Sequence, residues 1–194
     1  NSAIQIIELP TLVQVGEWNN NRSTIEEQIR VLRSILKEID EQGHPEIYWS
    51  VESNTLGEAA LVVIRDTGEE SFRGTMLHDP KNKMQGSKKR GGFITTNKSK
   101  LEGCAKLKQL IESDRLKLNS KGIISELKTF VSRSNTYEAR LGHTDDLIMS
   151  LILVLRMMEF ISTWDDGTHL AINSNIAAGE EDDEWNQPMP SLLI

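Results

Sequence analysis

Two runs open the chain in which β-branched and apolar residues alternate with polar ones, SAIQIIEL (2–9) and TLVQVGEW (11–18). Pro10 and Thr11 part them, so they predict two strands joined by a short turn. Polar NNNRS follows, and Ser23 or Thr24 with Glu26 and Glu27 comes close to a capping box, which marks a helix start. From Ile25 to Gly43, the positions Ile25, Ile29, Leu32, Ile35, Leu36 and Ile39 fall on one helical face. PEIYWSVES (45–53) reads as a strand, TLGEAALVVIRDTG (55–68) as a helix largely covered by its neighbours, and GTMLHDP (74–80) as a short strand. KNKMQGSKKRGG (81–92) has no hydrophobic period and predicts a mobile basic loop.

The second half has the same grammar. TTNKSKLEGCAKLKQLIESD (95–114) predicts an amphipathic helix with Leu101, Ala105, Leu107, Leu110 and Ile111 inward. RLKLNS (115–120) is a short alternating strand, GIISELKTFVSRS (122–134) a short helix or a helix-strand mixture, and HTDDLIMSLILVLRMMEFISTW (143–164) a long helix. Strands first, then strand and helix in alternation, give a mixed sheet with helices packed on it, an α/β fold.

Composition narrows this picture. A chain of 194 residues fits one domain, or one domain with a tail, and buries a substantial core without a disulfide framework. The one cysteine, Cys104, has no partner in the chain and reads as a small core residue, which suits a reducing, intracellular setting. Ser150, Arg156 and Glu159 break the longest apolar run before the roughly 18 to 20 residues a membrane span needs, so no membrane partner is expected. NSAIQIIELP lacks the basic start and cleavage site of a signal peptide and reads as a strand already under way, as in a piece of a longer chain.

Charge changes the picture more. The net charge of −7 argues against a nucleic-acid binder, yet residues 79–108 carry nine Lys or Arg against two acids. That window stands at +7 and the remainder at −14, with no Lys or Arg in residues 163–194. The boundaries that follow are a folded domain over 1–162 and an acidic, poorly ordered tail over 163–194.

Two adjacent acids, Asp145 and Asp146, head the apolar helix. Acids in a first turn complement the helix dipole and cap free N–H groups, a role that accounts for one of them, with Thr144 as a further cap. They are equally suited to a hard cation such as Mg²⁺, which takes one or two carboxylates and keeps several waters. Glu52, at the carboxyl end of a strand where α/β sheets place their sites, is the natural third acid, or else a solvated strand-end residue. Beside the basic loop, GGFITTNKSK adds glycines, two threonine hydroxyls and further lysines, a composition suited to phosphate contact as well as to plain solvation. His44, His78, His143 and His169 show no zinc spacing, and His143 beside the acids is either a helper or a surface histidine. No phosphate-binding G-x-x-x-x-G-K-[ST] loop and no G-x-S-x-G elbow is present, which speaks against ATP hydrolysis by this chain.

Taken together, VESN, GFITTNKSK, SELKTF and GHTDDLIMSLILVLRM resemble the C-terminal nuclease domain of the large terminase subunit of tailed bacteriophages, over residues 1 to about 162. The resemblance implies an RNase H-like mixed sheet flanked by helices on both faces. It also implies metal-dependent endonucleolytic cutting of double-stranded DNA with little sequence preference, by two Mg²⁺ or Mn²⁺ ions held on three acids. Mapped here, Glu52 and Asp146 are metal ligands, with Asp145 a second ligand or a supporting group. Lys81, Lys83, Lys88, Lys89, Arg90, Lys98 and Lys100 are the expected DNA contacts. The family's first acid lies on a strand before the one that opens this sequence, and none of Glu8, Glu17 or Glu27 matches it. The implied partners are DNA, the terminase ATPase domain or the missing N-terminal segment, the portal and the small terminase subunit, in the cytoplasm of an infected bacterial host. The competing reading is a non-catalytic DNA-gripping or motor-assembly module of the same fold; a junction resolvase resembles the chain less closely.

Overall fold

A computed structural model describes residues 2–43, 46–79, 91–133 and 136–161. The expected hairpin is there: β1 (Ser2–Glu8) pairs antiparallel with β2 (Val13–Asn20), from Ser2 opposite Asn20 to Glu8 opposite Val13, with one irregularity between Ile6 and Ile7. Helix α1 (Ile25–Glu41) starts at Thr24, whose hydroxyl accepts from the Glu27 amide at 3.3 Å while the Glu27 carboxylate accepts from the Thr24 amide at 2.9 Å. The capping box is therefore Thr24 with Glu27, and the helix buries Ile29 and Leu36.

Residues 47–53 run extended, although only Tyr48–Trp49 (β3) forms a regular parallel pair with Thr75–Met76 (β4). Further along, the Phe93 amide donates to the Val51 carbonyl at 3.0 Å and the Ser53 amide to the Phe93 carbonyl at 2.7 Å. Gly92 permits that approach: its φ is +71°, and any Cβ would collide with the Val51 carbonyl oxygen. Helix α2 (Thr55–Thr67) follows, and it differs from expectation. Ala60 and Ile64 are buried, but Leu56 and Val62 are exposed, so α2 is covered on one face only.

In α3 (Asn97–Glu112) the inward residues are Gly103, Cys104, Leu107 and Leu110. Ala105 and Ile111, expected inward, are exposed, because Cys104 rather than Ala105 shares a face with Leu107 and Leu110. RLKLNS is not a strand. It makes a single parallel bridge, Lys117 to Val13, with the Gln14 amide donating to the Lys117 carbonyl at 2.9 Å. The next segment resolves as α4 (Lys121–Thr129) running directly into β5 (Phe130–Arg133), which pairs antiparallel with an unforeseen strand, β6 (Thr136–Ala139). Phe130 stacks on Tyr137 across that pair.

Helix α5 (Asp146–Ile161) is the centre of the molecule. It buries Leu147, Ile148, Leu151, Ile152, Leu155, Met157, Met158 and Ile161, the pattern of a helix enclosed on nearly every side. Each such side chain contributes about 1.5–3 kcal/mol of burial, so α5 is held by packing rather than by helix propensity. Its first turns pack with Leu12, Cys104, Leu107, Leu110, Leu116 and Ile123, and its last with Leu77 and Phe93. Tyr48 packs into this second group, while its neighbour Trp49 packs with Ile29, Leu36, Ile64 and Phe72. Adjacent residues of one strand thus face opposite layers, α5 on one side and α1 with α2 on the other. The architecture is α/β with parallel and antiparallel pairs and helices on both faces, as expected. Among the described residues, the strands form three separate two-stranded pairs, with isolated bridges at Val13–Lys117 and Glu52–Phe93, rather than one continuous ladder. No helix of the described residues is long and apolar enough to cross a membrane. The basic stretch 80–90 and the acidic stretch 162–194 lie outside the described residues.

Candidate active site

Glu52 stands where the extended segment meets α2. Its carboxylate Oε2 accepts from Asn54 Nδ2 at 3.0 Å, and the same Asn54 side chain caps α2 by accepting from the Gly57 amide at 3.0 Å. One residue thus orients the acid and starts the helix. Gly57 is needed because a Cβ there would collide with the Glu52 carbonyl oxygen. VESNTLG is therefore a compact device for presenting a carboxylate at a strand end, and the sequence reading had missed the part played by Asn54.

The two aspartates at the head of α5 separate into different roles. Asp145 occupies the N-cap position, yet its carboxylate Oδ2 faces Lys100 Nζ at 3.3 Å, with side chains only 28% and 18% exposed. Lys100 also lies 5.8 Å from the centroid of the Phe130 ring. Expected on the DNA-contacting surface, Lys100 instead ties α3 to the head of α5. Lys98 does lie on the surface, 87% exposed, with Glu102 3.9 Å away. Lys81, Lys83, Lys88, Lys89 and Arg90 lie outside the described residues.

Capping of α5 is not done by the aspartate pair's N-cap member. The amides of Leu147 and Ile148, which an N-cap Asp145 ordinarily binds, donate to Glu126 Oε2 of α4 at 2.9 and 3.1 Å. Thr144 does not cap an amide either; its hydroxyl donates to Glu126 Oε1 at 2.9 Å. The expectation that one acid of the pair caps α5 with Thr144 as a further cap fails for Thr144 and, at these two amides, for Asp145. Burial pushes the Glu126 carboxyl above the usual glutamate range, its three hydrogen bonds oppose the rise, and the charge of Asp146 adds to it. SELKTF by itself does not single out Glu126, since the groups its carboxylate meets lie in residues 144–148.

The ends of the basic segment are anchored close to Glu52 along the chain of hydrogen bonds. The Asp79 amide donates to the Gly92 carbonyl at 3.0 Å, and the Gly92 amide donates to His78 Nδ1 at 3.1 Å. Arg156 of α5 reaches both ends, with Nη2 2.9 Å from Asp79 Oδ2 and Nη1 3.1 Å from the Ile94 carbonyl, its guanidinium 5.2 Å from the Phe93 ring centroid. His143 is exposed, and its amide donates to the Arg140 carbonyl.

As hard oxygen donors on a strand end and a helix head, Glu52 and Asp146 fit Mg²⁺ or Mn²⁺ in kind, since such ions need only one or two carboxylates beside waters and phosphate oxygens. Among the described residues, no three His, Cys, Asp or Glu side chains form a group able to hold a metal ion. Glu52, Asp145 and Asp146 are therefore not assembled as a three-carboxylate cluster.

The family model of the terminase RNase H-like domain matches residues 12–158. The chain belongs to this family. The matched span begins in the turn before β2 and ends within α5, so it takes in the Glu52 strand end, Glu126 and both aspartates. Among solved structures, the large terminase nuclease from the thermophilic phage G20c, determined with bound magnesium, superposes with a TM-score of 0.56 at 18% identity, covering 78% of this chain and 71% of that one. At that identity the likeness establishes the RNase H-like fold. The chain is thus a terminase RNase H-like domain.

Cys104 gives a prediction at this site. Burial raises its thiol pKa, nearby Lys100 lowers it and Asp145 raises it again, leaving a net rise, so the thiol stays protonated at neutral pH. Labelling by a disulfide reagent should be slow in native buffer and should accelerate in step with unfolding in urea. Fast labelling of the native chain would contradict the buried, protonated state.

Proposed function

We propose that this domain is the metal-dependent endonuclease of a viral DNA-packaging terminase, cutting double-stranded DNA with little sequence preference. The observation that supports the reading is the head of α5 within the matched family span: Glu126 takes the Leu147 and Ile148 amides, so capping those amides does not account for Asp145. In this reading Glu52 and Asp146 hold the cations, and Asp145, engaged by Lys100, supports Asp146 from the preceding position. Two Mg²⁺ or Mn²⁺ ions would activate the attacking water and stabilise the departing 3′ oxygen. Asn54 orients the Glu52 carboxylate, and the Lys100 pair keeps Asp145 extended toward α3.

DNA is gripped through its backbone by Lys98 and by Lys81, Lys83, Lys88, Lys89 and Arg90, on a segment whose ends are fastened beside the Glu52 strand end. Backbone contact without base readout suits cutting of any sequence. The terminase ATPase domain, the portal and the small subunit are the partners this role calls for, in the cytoplasm of the infected host.

The competing reading is a DNA-gripping or motor-assembly module of the same fold that does not cut. Nicking of supercoiled plasmid under a titration of Mg²⁺ and Mn²⁺, with a chelator control, decides between them. Metal-dependent nicking at scattered sites is the expected result; intact plasmid at every metal concentration, with DNA binding retained, would establish the module instead.

A further inference from the structure

Glu126 is one of the few charged residues in the buried interior, and all three groups that donate to it belong to residues 144–148. Burying a carboxylate is costly unless its oxygens are fully used, and a local cap was available in Asp145 at the N-cap position. The fold uses the buried acid from another helix instead, while Lys100 draws Asp145 toward α3 at 3.3 Å. Two tethers from two helices thus fix consecutive parts of one turn. Since α5 is already held by its enclosed apolar faces, the tethers act on the orientation of its head more than on its existence.

We infer that Glu126 is a positioning residue: from α4 it fixes the backbone turn that carries Asp146 and so sets the direction in which that carboxylate meets a divalent cation. The inference rests on the reading of Asp146 as a metal ligand. α4 is itself pinned, by the Ser120 hydroxyl accepting from the Gly122 and Ile123 amides at 2.9 and 3.3 Å and by Ile123, which is fully buried. A rigid support behind the ligand-bearing turn is what a metal site of defined geometry requires.

Mn²⁺ titration of the ¹⁵N-labelled chain supplies the test, read as paramagnetic broadening of the amide signals of residues 145–148 and as a dissociation constant. Broadening at the head of α5 is expected in the wild type and should vanish in Asp146→Asn. Glu126→Ala should weaken Mn²⁺ binding about 10- to 100-fold while keeping a dispersed, folded spectrum. Glu126→Gln, which keeps an acceptor oxygen for the two amides, should stay within about threefold of wild type. Leu36→Ala, in the separate core of α1 and α2, should lower the melting temperature and leave Mn²⁺ affinity unchanged. Should Glu126→Ala fail to fold, Glu126→Asp, one methylene too short to reach the amides, takes its place with the same expected loss. Wild-type affinity in the folded Ala or Asp variant overturns the inference and leaves the role of Asp146 standing. Broadening that persists in Asp146→Asn overturns that role and the inference with it.

Discussion

Asp146→Asn should abolish metal-dependent cutting in a nuclease-competent polypeptide carrying this domain, with a rate loss on the order of a hundredfold or more. The magnitude follows from ligand chemistry: losing a group that merely supports a metal ligand costs about 10- to 100-fold, and losing a ligand costs at least the upper end. The fold should hardly respond. A first-turn aspartate contributes only about 0.3–1 kcal/mol through the helix dipole, the amides of that turn belong to Glu126, and removing the charge relieves its repulsion of the buried Glu126 carboxylate. Asp145→Asn is the informative companion. It leaves the mostly buried Lys100 ammonium facing a neutral amide, so it should cost more stability than Asp146→Asn and less activity. Plasmid cleavage rates and urea denaturation of both variants check the pair of outcomes; wild-type cutting by Asp146→Asn would remove that residue from the site.

Asp79→Ala should destabilise the protein by about 3 kcal/mol, the usual consequence of leaving a buried charge without its partner. The side chains of Arg156 and Asp79 are only 14% and 9% exposed, and their 2.9 Å contact joins α5 to the stem of the basic segment. Arg156→Met should cost a similar amount, because it leaves the buried Asp79 carboxylate without that partner, and the double variant should recover part of either loss, methionine fitting an environment lined by Phe93. Urea midpoints of the two single variants and the double close the cycle. A cost for Asp79→Ala under about 1 kcal/mol would show that water already reaches the pair. If the stem also guides the basic segment onto DNA, Asp79→Ala will weaken DNA binding under conditions where the chain remains folded.

The two site corrections have one origin. Capping is expected of one acid of the Asp145–Asp146 pair and of Thr144 because their sequence position is that of caps, and position is all that a local pattern reports. Glu126 lies 21 residues before Leu147, and nothing in SELKTF announces where its carboxylate points. Lys100 was grouped with the other lysines on charge alone, yet it is 45 residues from the aspartate that claims it. Arg156 registered only as a break in an apolar run, although it spans 77 residues to reach Asp79.

What the sequence by itself determined is what period and punctuation encode. The β1–β2 hairpin, the face of α1 and its capping box, the amphipathic character of α3 and the apolar length of α5 were all legible, because each is settled within a few residues by side-chain direction and helix-end chemistry. The resemblance to terminase nucleases was carried by residue strings that the family match then spans. Tertiary structure alone decided which acid takes the Leu147 and Ile148 amides, which lysine pairs with Asp145, which face of α2 is covered, and that RLKLNS makes one bridge rather than a strand. Those outcomes depend on which segments meet across the core. Hydrogen bonds and ion pairs between segments are chosen by that meeting, and a linear pattern does not contain it.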